Sequence, residues 1–142
     1  MGDTNTKETM LLLIWAQVLV AVLGSLFYSE VMGYVPCEMC WYQRILMYPL
    51  VIIYGTALIK RDVIIALPGL ILSGIGMVVS IYHYFVQKLP ALHEAGSSCG
   101  AIPCNTTYVN YFGFITIPFL AGTAFMIIFV LHMVILRKHG RK

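Results

Sequence analysis

The stretch VPCEMCWYQRI, from Val35 to Ile45, sets two thiols and a guanidinium at helical spacing. At about 100° per residue, Cys37, Cys40 and Arg44 fall at roughly 0°, 300° and 340°, on one face of a helix within about 60°. Pro36 restricts the residue before it to extended backbone and suits a helix start, so the pair is expected in a first turn. Exposed backbone N–H groups there favour an anion, and so does a guanidinium that cannot lose its proton. Both make Cys37 or Cys40 a better thiolate, the nucleophile and leaving group of disulfide exchange. A second pair, Cys99 and Cys104, encloses Gly100, Ala101, Ile102 and Pro103 and can close into a short, exchangeable disulfide. A relay needs one pair within reach of a protein partner and another near an electron acceptor. The same residues carry plainer readings: static disulfide clips at either pair, an Arg44 that snorkels to headgroups, or zinc held as C-x2-C with C-x4-C. Zinc is disfavoured because free thiols outside the cytosol oxidise.

The elements that must position these groups are greasy. The 142 residues are 60% hydrophobic and 11% charged, against roughly 25% charged in an ordinary soluble domain. The fold class expected is an all-α integral membrane protein, a single four-transmembrane-helix domain over 1–142. Spans are expected at about 10–28, 41–59, 63–85 and 112–136, since about 20 apolar residues cross a bilayer and the backbone must satisfy its own hydrogen bonds there. The first span is read as a retained helix, because no small-x-small cleavage site follows it in FYSEVMGYVPC. The tight turn at Lys60–Asp62 makes the second and third spans antiparallel neighbours in a bundle. Pro49 and Pro118 are expected inside the second and fourth helices, as kinks. Loops 29–40 and 86–111 carry the cysteine pairs, and the longer one, rich in Gly, Ser, Pro, Asn and Thr, is expected to be irregular and accessible. Asn105-Thr106-Thr107 matches a glycosylation acceptor but is given no role.

Charge gives the orientation. Lys7, Lys60, Arg61, Arg137, Lys138, Arg141 and Lys142 fall on one side, and only Arg44 and Lys88 on the other. Both termini are therefore expected to be cytoplasmic. The net charge of +3 reflects this topology and implies no nucleic acid. All four cysteines then lie outside, where disulfides persist.

With its four spans, CEMCWYQR after the first, C-x-x-C-x3-R met by Cys37, Cys40 and Arg44, and a second outer pair, the chain resembles the disulfide bond formation protein B (DsbB) family, nearest its small Gram-positive BdbC branch. The resemblance implies a multi-pass cell-membrane protein-disulfide:quinone oxidoreductase. It would reoxidise an extracytoplasmic thioredoxin-fold, DsbA-like dithiol oxidase and pass the electrons through Cys99/Cys104 and Cys37/Cys40 to menaquinone or ubiquinone. By cysteine order, Cys99 would meet the partner and Cys40 the quinone. The second pair is set closer together here than in proteobacterial members. A quinone site calls for apolar walls with few polar groups, and Arg44, Trp41, Tyr48 and His83 are its candidates, His83 also as a proton route; no resident metal is expected. Rival readings are a vitamin K epoxide reductase-like enzyme, whose C-x-x-C lies near the last helix, a metal-binding or metal-transporting membrane protein using cysteines with His83 or His93, and a structural four-span subunit with static disulfides.

Overall fold

The structure, a computed structural model, describes residues 2–97 and 100–140. Cys99, Arg141 and Lys142 lie outside the described residues. The elements are α1 (Gly2–Leu26), a π turn (Phe27–Val31), α2 (Glu38–Lys60), a 3-10 turn (Ile64–Ala66), α3 (Leu67–Lys88), a second 3-10 turn (Pro90–Leu92), α4 (His93–Ser97) and α5 (Ile117–Gly140). Four of the helices are long and apolar enough to cross a membrane. No strand forms among the described residues; one isolated bridge joins Tyr111 and Ile115.

The observed limits correct the expected ones at the outer ends. The first span continues past 28 as a π turn to Val31, and α2 starts at Glu38. The fourth does not begin at 112. Phe112 and Gly113 both take positive φ (54° and 83°), which turns the chain at Tyr111–Ile115 before α5 opens at Ile117. Pro118 is thus the second residue of α5, where its missing N–H would have no partner anyway. Only Pro49 sits inside a helix as expected. The 86–111 segment is not wholly irregular, since it contains the Pro90–Leu92 turn and α4.

Small residues set how closely the helices pack. The buried face of α3 runs Gly69, Ser73, Gly76, Ser80 and His83, three or four residues apart, which lets neighbouring side chains reach its backbone. A Cβ on Gly69 would stand 2.9 Å from the Tyr54 ring, and one on Gly76 would stand 2.5 Å from the Phe125 ring. Gly76→Val is therefore expected to destabilise the bundle by about 1–3 kcal/mol, the usual cost of overpacking. Thermal unfolding in detergent checks this, against Gly24→Val, where a Cβ meets nothing within 4 Å.

The inner half of the bundle is filled by Leu11, Ile14, Leu50, Tyr54, Phe125, Ile128 and Ile135, all at most 1% exposed. The Tyr54 hydroxyl lies 2.7 Å from His132 Nδ1, which gives two polar groups in this layer a partner. At that end, Lys7 Nζ lies 3.5 Å from His139 Nδ1, and Arg61 Nε pairs with Glu8 Oε1 at 2.8 Å. Arg61 itself takes a left-handed conformation (φ 55°), and Asp62 accepts the Ile64 N–H, which closes the turn between α2 and α3. The two ends of the described chain and this turn thus share one end of the bundle. Cys37, Cys40 and Cys104 lie at the other.

Candidate active site

Cys37 is the last extended residue before α2 (φ −72°, ψ 171°), and its carbonyl accepts the Trp41 N–H. Its thiol donates to Cys40 Sγ at 3.1 Å, far beyond the roughly 2.05 Å of a disulfide bond. The pair is therefore a dithiol. That hydrogen bond, together with burial, pushes the Cys37 thiol up to about 12. Cys37 is the sulfur that holds its proton, and Cys40 the one that accepts the bond.

Behind the pair stands His83, fully buried on α3. Its Nε2 is 3.1 Å from the Cys104 carbonyl and 3.6 Å from Cys37 Sγ, and its Nδ1 is 3.2 Å from Gln43 Nε2. A carbonyl can only accept, so Nε2 carries the proton and Nδ1 takes a hydrogen bond from the Gln43 amide. Cys104 is buried as well, and packs with Cys37 and Val86 in one cluster that also takes in Met39, Cys40 and Ile102. The second loop was expected to leave its cysteines accessible. Cys104 instead lies under the loop, tethered by its N–H to the Gly96 carbonyl at 2.9 Å.

Arg44 is 9% exposed one turn below Cys40. Its Nε donates to Ser25 Oγ and its Nη2 to the Ser25 carbonyl, both at 2.9 Å. The guanidinium also lies over the Trp41 ring, 5.5 Å from its centre. Two of five donors are thus spent on α1, close to where it winds into the π turn. Arg44 also borders a cavity of about 350 Å³ between α1, α2, α5 and the second outer loop. Its walls include Val20, Met47, Ile117 and Leu120, and Cys37 and Cys40 open onto it. Tyr28, Tyr34 and Tyr108 stack in series across the cavity's outer rim, with centroids 6.2 and 5.0 Å apart.

Of the residues expected around an acceptor, Arg44 lines this cavity and Trp41, Tyr48 and His83 do not. Trp41 is half exposed on the outer surface of α2, and His83 lies behind the sulfurs. The residues missed on α2 are Gln43 and Met47. They follow Cys40 by three and seven residues, so the helical period that joined Cys40 to Arg44 carried the signal for them. Gln17 and Ser25 of α1 had no such signal.

The model of the family described as disulfide bond formation protein DsbB matches residues 7–135. The chain belongs to the DsbB family. It is 66% identical over 140 residues to a probable disulfide formation protein of Oceanobacillus iheyensis, covering 98% of this chain and 97% of that one. A probable disulfide formation protein C of Halalkalibacterium halodurans is 53% identical, over 92% and 96% of the two chains. Disulfide bond formation protein C of Bacillus subtilis is 47% identical, over 82% and 84%. No solved structure matches the chain. As a DsbB family member with four membrane-length helices, it is a multi-pass membrane oxidoreductase of disulfide formation.

Proposed function

We propose that this DsbB family member makes disulfides de novo, taking electrons from a thioredoxin-fold dithiol oxidase outside the cytoplasm and passing them to a membrane quinone. The observation that carries the reading is the cavity: mostly apolar, bordered by the Arg44 guanidinium and open to Cys40. Its volume of about 350 Å³ falls at the lower end of ligand pockets, generally about 300–1,000 Å³. Apolar walls with one fixed cation and the Gln17 and Gln43 amides fit a flat ring that ends in two carbonyl oxygens. A quinone bound there supplies a sink for two electrons and two protons.

The chain's own sulfurs carry the electrons in pairs. A partner thiolate attacks the Cys99–Cys104 disulfide at Cys99, and a second partner thiol resolves the mixed disulfide. The partner leaves oxidised, with Cys99 and Cys104 reduced. Cys104 then attacks the Cys37–Cys40 disulfide and, with Cys99, regains its bond as Cys37 and Cys40 become thiols. The burial of Cys104 in the cluster with Cys37 supports this inner step, and a buried sulfur is poorly suited to meet a protein partner. The role of meeting the partner is therefore given to Cys99. Cys40 gives up the electron pair beside Arg44, whose charge favours its thiolate, and Cys37 closes on it again.

The test is quinone reduction by the purified protein with a reduced thioredoxin-fold oxidase as donor, using ubiquinone and menaquinone analogues in turn. No reduction of either would overturn the reading. Its topology is tested separately. Reporter fusions after Lys60 and at the C-terminus are expected to act as cytoplasmic, and one at Gly96 as external. An external C-terminus would remove the compartment argument.

A further inference from the structure

The cluster of Cys37, Cys40 and His83 suits more than electron transfer. Their sulfur and ring-nitrogen atoms all lie within 4.8 Å of one another at the buried head of the bundle. Two sulfurs and an imidazole are a donor set for a borderline-soft divalent ion, and three protein ligands leave a fourth position open. In this chain that position has somewhere to face, because both cysteines border the cavity. The 3.6 Å from Cys37 Sγ to His83 Nε2 is already close to the spacing of two ligands on one tetrahedral zinc. The 3.1 Å between the sulfurs must widen to about 3.8 Å, as Zn–S bonds of about 2.3 Å at tetrahedral angles require. Cys40 sits in the first turn of α2 and is only half-buried, so it has room to swing.

Two further features favour an ion here. Gln43 reaches the far nitrogen of His83; with its amide turned so that Oε1 accepts an Nδ1–H, it makes the kind of outer contact that fixes a metal-binding imidazole. A zinc ion with two thiolates and a neutral imidazole is uncharged overall, which suits a site at the edge of hydrocarbon.

We propose that the reduced Cys37–Cys40 pair and His83 form a zinc site, filled only in the dithiol state, with water or a small ligand at the cavity-facing position. Binding releases the two thiol protons, moves the imidazole proton from Nε2 to Nδ1, where the turned Gln43 amide oxygen accepts it, and gives up the contact of Nε2 with the Cys104 carbonyl; no oxidation state changes. A bound ion caps both sulfurs and holds the chain reduced until it is removed. The site needs only the dithiol and is independent of which acceptor drains it. It also differs from the four-thiol zinc reading disfavoured above, since Cys99 and the sulfur of Cys104 take no part.

The experiment uses full-length protein in detergent, reduced, freed of reductant and titrated with Co²⁺ as a coloured stand-in for zinc. One Co²⁺ per chain with a sulfur-to-cobalt charge-transfer band is expected, and Zn²⁺ should bleach it. Oxidation of the pair should abolish binding, as should alkylation of the folded wild type, which avoids any folding defect of a variant. Gln43→Leu should weaken binding by roughly 10- to 100-fold, and His83→Ala by more. Cys99→Ser and Cys104→Ser should leave the band intact. No band in the reduced protein, a band that survives oxidation, or one lost with Cys99 or Cys104 would overturn the proposal.

Discussion

Cys104→Ser is expected to end oxidation of a thioredoxin-fold partner while leaving the Cys37–Cys40 pair able to reduce quinone. The two halves of this result come from separate parts of the fold. Cys104 is fixed in the same buried cluster as Cys37, its backbone held by Gly96 and its carbonyl by His83. Serine fills nearly the same volume and keeps both backbone contacts, so the cluster should hold its shape. What is lost is the sulfur by which the proposed relay reaches the inner pair. In the proposed mechanism quinone meets Cys40 in the cavity, whose lining does not include residue 104. Partner oxidation should fall to background. Quinone reduction driven by a small dithiol acting on Cys37–Cys40 should persist. Acid-quenched alkylation, read by mass, follows both pairs in the same sample. Partner turnover at the full rate in Cys104→Ser would make the second pair a structural staple.

The second large effect is expected at Arg44. An arginine that only anchored its helix in headgroups would lie exposed, and lysine would serve as well. Here the guanidinium is buried, held at two points by Ser25 and laid over Trp41. Arg44→Lys keeps the charge but not the planar fork that satisfies Ser25 and the cavity together. It should fold and raise the apparent quinone KM. Arg44→Met removes a charge-assisted hydrogen bond worth roughly 1.5–3 kcal/mol, so apparent affinity should fall by about 10- to 150-fold. A quinone titration with partner in excess reads the change. An unchanged KM in Arg44→Met would return Arg44 to the lipid-anchor role.

What the sequence made legible follows from the range over which each signal acts. Membrane-length apolar runs and a cysteine–arginine face are local, so four helices and the join of Cys37, Cys40 and Arg44 could be read directly. The outer limits were blurred because the aromatic run Tyr111–Phe114 is as apolar as a helix. Positive φ at Phe112 and Gly113 decides the matter there, and hydropathy carries no trace of it. The cavity was only half legible. On α2 its face is Cys40, Gln43, Arg44 and Met47, whereas Trp41 and Tyr48 lie about 100° round the helix. Choosing them weighed aromatic character above direction. The α1 and α5 walls depend on how distant segments pack. His83 was singled out as a quinone-site candidate, and its place behind the sulfurs instead depends on the register of α3 against α2.

The packed inner half of the bundle has a consequence for wiring. Sulfurs exchange electrons only by touching, and the cavity that reaches Cys40 descends no further than Gln17, Met47 and Ala124. Beneath it Leu11, Ile14, Leu50, Tyr54, Phe125 and Ile128 close the middle of the bundle. Among the described residues, this packed layer stands between the end that bears the termini and the dithiol. If the termini face the cytoplasm, as proposed, the layer acts as an insulator between the cysteine end and a reducing compartment.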